Sequence, residues 1–447
     1  MQRTITLVEL TWSRDKDPRL PLGHASLLAS LRQVSNLTSA SVIIPVNGPK
    51  QSPQHVAAQI LSQIATDDPA NTDVAIGAYV WAEHLLRDVL TALRHQGFTG
   101  RIILGGPQIS YCAGGLEALY PEADAFIRGY GEQALRTLAL SPNRTDIIGV
   151  HWAGTPDLNL QAQANLDVLP SPWLTNLIPL QNQPFVRWET QRGCPFRCSF
   201  CQHREAGKRL TRRTLNSARI AAEIDLFCEH NVTDIAVLDP IFNMAPHATN
   251  MLERFADRGF TGRLSLQCRA EAIDESFLDA ASALNTRLEF GLQTIHPGEG
   301  KAVRRHNNLA KVEQALSRVR GRGIDHEISV IFGLPLQTVA SFEQTLQWCL
   351  AQRVPVIKAF PLLLLRGTAL DQERERWGFI DDGGSMPMVV QSVSFSHADW
   401  VYMAQLSEAL SLTEGHHPSG LDELRRLAAD LQPKIQRWKP TQQEMAA

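Results

Sequence analysis

Three of the seven cysteines in this 447-residue chain stand within one short stretch, Gly193-Cys194-Pro195-Phe196-Arg197-Cys198-Ser199-Phe200-Cys201. The spacing Cys-x3-Cys-x2-Cys lets a single loop place three thiolates on three irons of a cubane [4Fe–4S] cluster. The next cysteine, Cys228, falls inside an expected helix, so Cys194, Cys198 and Cys201 leave the fourth iron without a protein ligand. An iron of that kind is open to substrate. Two other readings stand beside this one. His203 can complete a zinc set, although zinc sites more often use paired Cys-x2-Cys or Cys/His motifs. Three unligated core thiols is the plainest reading, and chance clustering at this cysteine frequency is rare. Cys112, Cys228, Cys268 and Cys349 are widely spaced and read as buried apolar residues.

Other charged groups invite a chemical reading more weakly. Arg269 and Glu271 follow an expected strand and suit contacts to a ribose or a substrate carboxylate, or a solvated rim. The run Lys208-Arg209-Leu210-Thr211-Arg212-Arg213 suits an anionic substrate or phosphate tail, or a solvated helix start. No catalytic acid or base is assigned. The totals of 43 Lys+Arg and 46 Asp+Glu give a formal charge of −3, which removes bulk attraction to nucleic acid or anionic membrane. There is no apolar run of about 18 residues, and the opening MQRTITLVEL lacks the pattern of a signal peptide. The expected setting is a reducing cytoplasm, where clustered thiols mean metal or catalysis before disulfides.

The elements that must position these residues form two α/β series. In residues 1–150, expected strands Thr4–Glu9, Ala40–Val46, Asp73–Tyr79, Arg101–Leu104 and Ala123–Arg128 alternate with helices over Leu22–Val34, Val56–Ala65 and Glu83–Gln96. Short apolar strands separated by amphipathic helices predict a parallel, doubly wound, Rossmann-like sheet. Residues 151–183 read as a linker broken by Pro156, Pro170, Pro172 and Pro179. A second series occupies 184–380, with strands Phe185–Glu189, Asp234–Leu238, Arg263–Gln267, Arg287–Phe290, Glu327–Phe332 and Pro355–Pro361. Helices are expected at Leu215–Glu229, Pro246–Arg258, Leu309–Gly321 and Ser341–Arg353, with Pro246 as a first helical residue. Six strand-helix units predict a partial (β/α)6 barrel. Residues 381–447 read as a helical C-terminal region.

The cysteine loop and the segments behind it resemble the radical S-adenosylmethionine (SAM) superfamily over about residues 184–380. Phe200, just before the third cysteine, matches that family's loop. The resemblance implies that the open iron is chelated by the amino and carboxylate groups of SAM. An electron from the cluster then cleaves the sulfonium C–S bond, usually giving a 5′-deoxyadenosyl radical. It further implies SAM contacts at strand ends. Asp239 and Pro240 stand where the family holds the SAM amino group, in place of the common Gly-Gly-Glu. Glu289-Phe290-Gly291-Leu292-Gln293-Thr294 resembles the family's "GLQS" stretch, and Phe332-Gly333-Leu334-Pro335 the "GLP" turn near adenine.

The first series resembles the cobalamin-binding domain that precedes many radical SAM barrels. The matching pieces are Leu20–Ala25, Leu104-Gly105-Gly106-Pro107-Gln108 and Gly129-Tyr130-Gly131-Glu132. Gly105, Gly106 and Gly129 at strand ends would let a flat macrocycle approach the backbone. The Asp-x-His-x-x-Gly marker that supplies a histidine under cobalt is absent, and His24 reads as a helix-start residue. A bound cobalamin would meet the loop Thr11–Leu20, with Arg14, Lys16 and Arg19 in reach. The pairing of both resemblances implies a cobalamin-dependent methyltransferase acting on a small-molecule or natural-product intermediate. Its electrons would come from a low-potential donor such as flavodoxin or ferredoxin, and no nucleic acid or membrane partner is expected. Two alternatives remain at this stage. One is a cobalamin-independent enzyme of rearrangement, bond formation or 3-amino-3-carboxypropyl transfer from SAM; the other is a non-enzymatic metal-binding interaction protein.

Overall fold

Short apolar strands, most of them buried along nearly their whole length, organise the first part of the chain. The computed structural model describes residues 3–64, 71–141, 143–203 and 213–431. Contacts divide the chain into two units, Met1–Trp188 with Arg204–Val232, and Glu189–His203 with Thr233–Ala447. In chain order the first elements are β1 (Thr4–Thr11), α1 (Leu22–Arg32), β2 (Thr38–Pro45), α2 (Pro53–Ser62), β3 (Thr72–Gly77), α3 (Glu83–His95), β4 (Arg101–Gly105), β5 (Ala125–Ile127), α4 (Gly131–Leu140) and β6 (Val150–Trp152). The sheet runs β2-β1-β3-β4-β5-β6, with β1 to β5 parallel and β6 antiparallel to β5. Side chains alternate across the sheet. Ile5 and Leu7 join a core with Leu28 of α1 and Leu135 of α4, while Val8 and Leu10 pack with Ile60 of α2 and Leu90 of α3. The sheet is therefore wound on both faces. Strand order reverses between β1 and β3, so their carboxyl ends mark the switch point where such sheets bind ligands.

Glu9 interrupts the apolar run of β1 at that switch point. It is 6% exposed, and burial pushes its carboxyl up to about 8. His24 of α1 lies 4.0 Å away through Nδ1, and burial pushes it down to about 4. Both groups are therefore neutral at pH 7, and their proximity is not an ion pair. Nε2 of His24 lies 2.8 Å from Ser41 Oγ on β2. The pH signature follows from the ordinary values of about 4.3 for Glu and 6.5 for His. Stability from neutral Glu9 is full below pH 4.3 and is lost as pH rises through 8; that from neutral His24 is full above 6.5 and is lost as pH falls through 4. Between about pH 6.5 and 8 only Glu9 of the pair acts, and stability is expected to fall by about 2 kcal/mol. Thermal melts of Glu9→Gln should lack that decline; a variant with the same slope as the native chain would refute the assignment.

The second series contains β7 (Phe185–Trp188), α5 (Ser217–Glu229), β8 (Asp234–Val237), α6 (Ala248–Asp257), β9 (Arg263–Cys268), α7 (Glu275–Ser282), β10 (Asn285–Gln293), α8 (Leu309–Gly321), β11 (Asp325–Phe332), α9 (Val339–Ala351) and β12 (Val356–Pro361). Its six-stranded sheet runs in sequential order, β12-β11-β10-β9-β8-β7, and the pairings from β8 to β12 are parallel. This is the expected partial barrel. Leu264, Leu266, Leu288 and Phe290 are buried on the helix side, while Gln267, Glu289 and Gly291 alternate with them. Helix ends carry local signals: Asn216 Oδ1 accepts from Ala218 N and Arg219 N at the start of α5, and Thr338 forms a capping box with Ser341 at α9. Helices α10 (His397–Leu412) and α11 (Leu421–Ala429) follow in the C-terminal region.

Two local expectations need correction. Pro246 is not a first helical residue, because a short 3-10 turn at Phe242–Met244 is followed by an extended Ala245 and α6 opens only at Ala248. The linker expected from residue 151 begins within β6, a strand too short to show a period and fixed by pairing with β5. Further on, the linker is anchored: Ser171 Oγ and, just beyond it, Trp188 Nε1 both donate to the fully buried Glu223 of α5. The basic run at 208–213 lies, apart from Arg213, outside the described residues.

Candidate functional site

The loop carrying the three cysteines leaves Gly193, whose φ of +81° is in the region that glycine adopts without strain. It is then tied down on several sides. Ser199 N donates to Val303 O at 3.0 Å, Leu370 N donates to Ser199 O at 3.0 Å, and Gln202 Nε2 donates to Arg366 O at 2.7 Å. His203 N donates to Cys201 Sγ at 3.3 Å. Cys194, Cys198 and Cys201 are free thiols and line one cavity of about 460 Å³ in the second unit. Burial pushes the Cys201 thiol up to about 11 and raises Cys194 as well. Among the described residues no three His, Cys, Asp or Glu side chains converge on a single-ion position. Each cysteine of a cubane binds a different iron, so this donor set fits a cluster.

The cavity wall is polar toward the inner faces of the barrel strands and apolar at Phe200, Ile241 and Phe360. Glu327 of β11 accepts from Lys358 Nζ of β12 at 2.6 Å. Glu289 of β10 faces the same space, its carboxyl held above the usual range by burial and by Glu327. Gln293 ends β10 on a bulge with φ of +70°, and its Oε1 is buried without a hydrogen-bond partner among the described residues. Arg269 lies over the Phe196 ring at 4.2 Å, donates to His306 O at 2.7 Å and pairs with Glu271 at 3.3 Å. An unpaired amide and several charged groups in an apolar-rimmed cavity fit an amphipathic adenosyl ligand.

The structure therefore gathers Pro240, Arg269, Glu289 and Gln293 around the cysteines. It places the other expected SAM contacts elsewhere. Asp239 is 0% exposed and points away from the cavity wall: Oδ1 accepts from Thr190 N at 2.8 Å and Gln191 N at 3.1 Å, and Oδ2 bonds Thr190 Oγ1. Burial pushes this carboxyl up to about 7, while all three bonds are donated to it, the one at Oδ2 by the Thr190 hydroxyl. Asp239 thus anchors the strand end that leads into the cysteine loop. Phe332 is fully buried between Phe342 and Trp400, and Gly333 N donates to Gln337 Oε1 at 2.7 Å. Asp239→Asn is accordingly expected to keep its iron content and to hold SAM within about threefold of the native affinity, whereas Asp239→Ala destabilises by about 2 kcal/mol and loads less iron. Calorimetric SAM titration decides; a tenfold weakening in Asp239→Asn would restore a direct contact.

Sequence reasoning missed Arg305, Lys358 and Glu327. No spacing pattern marks them, since they meet the cysteines only through the barrel. In the first unit the glycines serve the chain's own backbone. A Cβ on Gly106 (φ +96°) would lie 2.9 Å from Ala78 O, and one on Gly129 (φ +80°) 2.5 Å from Ala162 O; Gly105 has ordinary room. His24 is buried with Nε2 at Ser41, so it is not placed to ligate a cobalt ion. Arg14 pairs with Asp17 and Lys16 lies over the Phe185 ring at 4.0 Å.

Residues 188–349 match the family model of the radical SAM superfamily. The chain is 28% identical over 302 residues to the 2-(S-pantetheinyl)-carbapenam-3-carboxylate methyltransferase of Streptantibioticus cattleyicolor, covering 60% of this chain and 43% of that one. It is 26% identical to the cobalamin-dependent radical SAM methyltransferase TokK of Streptomyces tokunonensis, covering 65% and 46%. The chain thus spans less than half the length of these two curated relatives. Among solved structures, TsrM of Kitasatospora setae with tryptophan and aza-SAM bound superposes with a TM-score of 0.68 at 16% identity, over 89% of this chain and 82% of that one. The radical enzyme OxsB with aqua-cobalamin and SAM bound gives 0.64 at 16%, over 91% and 66%. At these identities the likeness is one of fold, and it extends through both α/β series.

Proposed function

We propose that this protein is a cobalamin-dependent radical SAM methyltransferase acting on a small molecule. The observation that carries the reading is the convergence of Cys194, Cys198 and Cys201 on one cavity that also holds Gln293, Glu289 and Arg269. The doubly wound first unit and the methyltransferases among the relatives support the choice of reaction. A cluster on the three thiolates would supply a low-potential electron to a sulfonium bound at its open iron. The chain's own part is positional. Ser199, Gln202 and Leu370 fix the loop, and Asp239 fixes the strand end before it. Gln293 and Glu289 offer polar contacts to the adenosyl group, Lys358 and Glu327 form an ion pair on the same wall, and Phe200 and Phe360 offer it apolar surface.

For the corrinoid, the first unit supplies the fold and a switch point at β1 and β3 without an axial histidine from His24. A bound corrinoid would therefore rest on fold contacts rather than on a bond from that side chain. The reading includes a low-potential electron donor and a cytoplasmic setting. Among the described residues no helix is long and apolar enough to cross a membrane.

The test is anaerobic loading with iron, sulfide and hydroxocobalamin, followed by reduction with SAM. Release of S-adenosylhomocysteine together with 5′-deoxyadenosine is expected. 5′-Methylthioadenosine in their place would overturn methyl transfer, and failure to retain any corrinoid would overturn the cobalamin part while leaving the cluster standing.

A further inference from the structure

We propose that Arg305 sets the reduction potential of the iron–sulfur cluster, acting as a fixed cation beside the Cys198 thiolate; this rests on the cluster reading above. Arg305 Nη1 lies 3.9 Å from Cys198 Sγ, and Nη2 donates to Gly291 O on the inner face of β10. It lines the cavity with the three cysteines. Its placement is over-determined. Arg304 before it takes a φ of +53°, and Arg305 N donates to Gly300 O at 2.8 Å. A Cβ on Gly300 would stand 2.7 Å from Arg305 O, so that turn closes only around a glycine. Two residues upstream, Val303 O accepts from Ser199 N inside the cysteine loop. The backbone that aims the guanidinium is thus bonded to the loop it faces.

The charge is what singles Arg305 out. Its neighbour at the site, Arg269, is compensated by Glu271 at 3.3 Å and spread over the Phe196 ring. Arg305 forms no ion pair among the described residues, and its Nε is buried without a hydrogen-bond partner there. A half-buried cation without a counter-charge, directed at a cysteine sulfur, matches an anionic group at that sulfur. Three thiolates on a cubane core make such a group, and one-electron reduction adds a further negative charge. A fixed positive charge and an N–H directed at sulfur both favour the reduced state, and cluster potentials follow net charge and hydrogen bonds to sulfur. Arg305 therefore raises the potential, and its removal lowers it.

The experiment uses the full chain, loaded anaerobically with iron and sulfide in the absence of SAM and corrinoid. The reduced cluster is counted by electron paramagnetic resonance at the native midpoint potential. In Arg305→Gln the ratio of reduced to oxidised cluster is expected to fall about tenfold, a shift of about 59 mV to lower potential for one electron. Arg305→Lys keeps the charge and is expected to stay within about twofold of the native ratio. Arg269→Gln is expected to change it less than about threefold, because Glu271 already screens that arginine. A fully loaded Arg305→Gln chain with the native ratio overturns the proposal. If Arg305→Gln does not hold iron, Arg305→Lys decides: a native ratio supports the charge role, and either a tenfold fall or a failure to load overturns it. A native chain that takes up no cluster would instead remove the cluster reading itself.

Discussion

Replacing Cys194, Cys198 and Cys201 together by alanine yields a chain that takes up no cluster: iron falls from about four per chain to background and reductive SAM cleavage stops. The three thiols come from one loop and face one cavity, whereas Cys268, which also lines it, stands apart from that loop at the end of β9 and is 5% exposed. Each single replacement is expected to abolish turnover as fully as the triple one, because residues that act as a unit are not additive. Stability should change little, about 1 kcal/mol, since these side chains border a cavity and the loop is held by Ser199, Gln202 and Leu370. Iron analysis, visible absorption and product chromatography measure the effect, with circular dichroism as the control for folding. A triple variant that still cleaves SAM would remove the basis of the functional reading.

Asp73→Ala gives the largest expected loss of stability, about 3–5 kcal/mol. Asp73 is fully buried at the start of β3 and takes both oxygens to arginines. Arg3 donates from Nη2 at 2.7 Å and from Nε at 3.1 Å; Arg101 donates from Nη2 at 2.6 Å and from Nε at 2.7 Å. β3 is the strand beside β1, so this triad pins the centre of the first sheet. Removing the carboxylate leaves two largely buried guanidinium groups without their counter-charge, which is far costlier than losing an exposed pair. Urea titration followed by fluorescence should show the first-unit transition at lower urea. Asp73→Asn, which keeps an acceptor, should lose less than the alanine variant. A shift below about 1 kcal/mol in Asp73→Ala would show that the arginines find other partners.

Much of the scaffold is local chemistry and was readable in the chain. The apolar strands of both series fall within a few residues of their expected bounds, and helix Leu309–Gly321 matches its expected range at both ends. The cysteine loop is equally local, because three ligands to one cluster must lie close in sequence when one turn holds them. The failures are of another kind. Asp239 follows the second barrel strand, as a cofactor contact would, yet its carboxylate bonds Thr190 and Gln191, about fifty residues earlier. Phe332 and Gly333 carry the expected motif and are consumed by packing on Trp400 and by Gln337. Gly106 and Gly129 sit at strand ends as expected, and what comes close to them is the backbone of Ala78 and Ala162.

The sequence by itself determined two α/β series and the loop with its three cysteines, and hence the expectation of an iron–sulfur chemistry, because periodicity, turn residues and ligand spacing act over a few positions. The tertiary structure decided which charges meet that loop. Arg305 arrives beside Cys198 from more than a hundred residues away, Lys358 meets Glu327 only because β12 pairs with β11, and Asp239 turns inward to brace the strand end. Partner choice among charged groups is set by strand register and burial, which exist only once the sheet has closed around them.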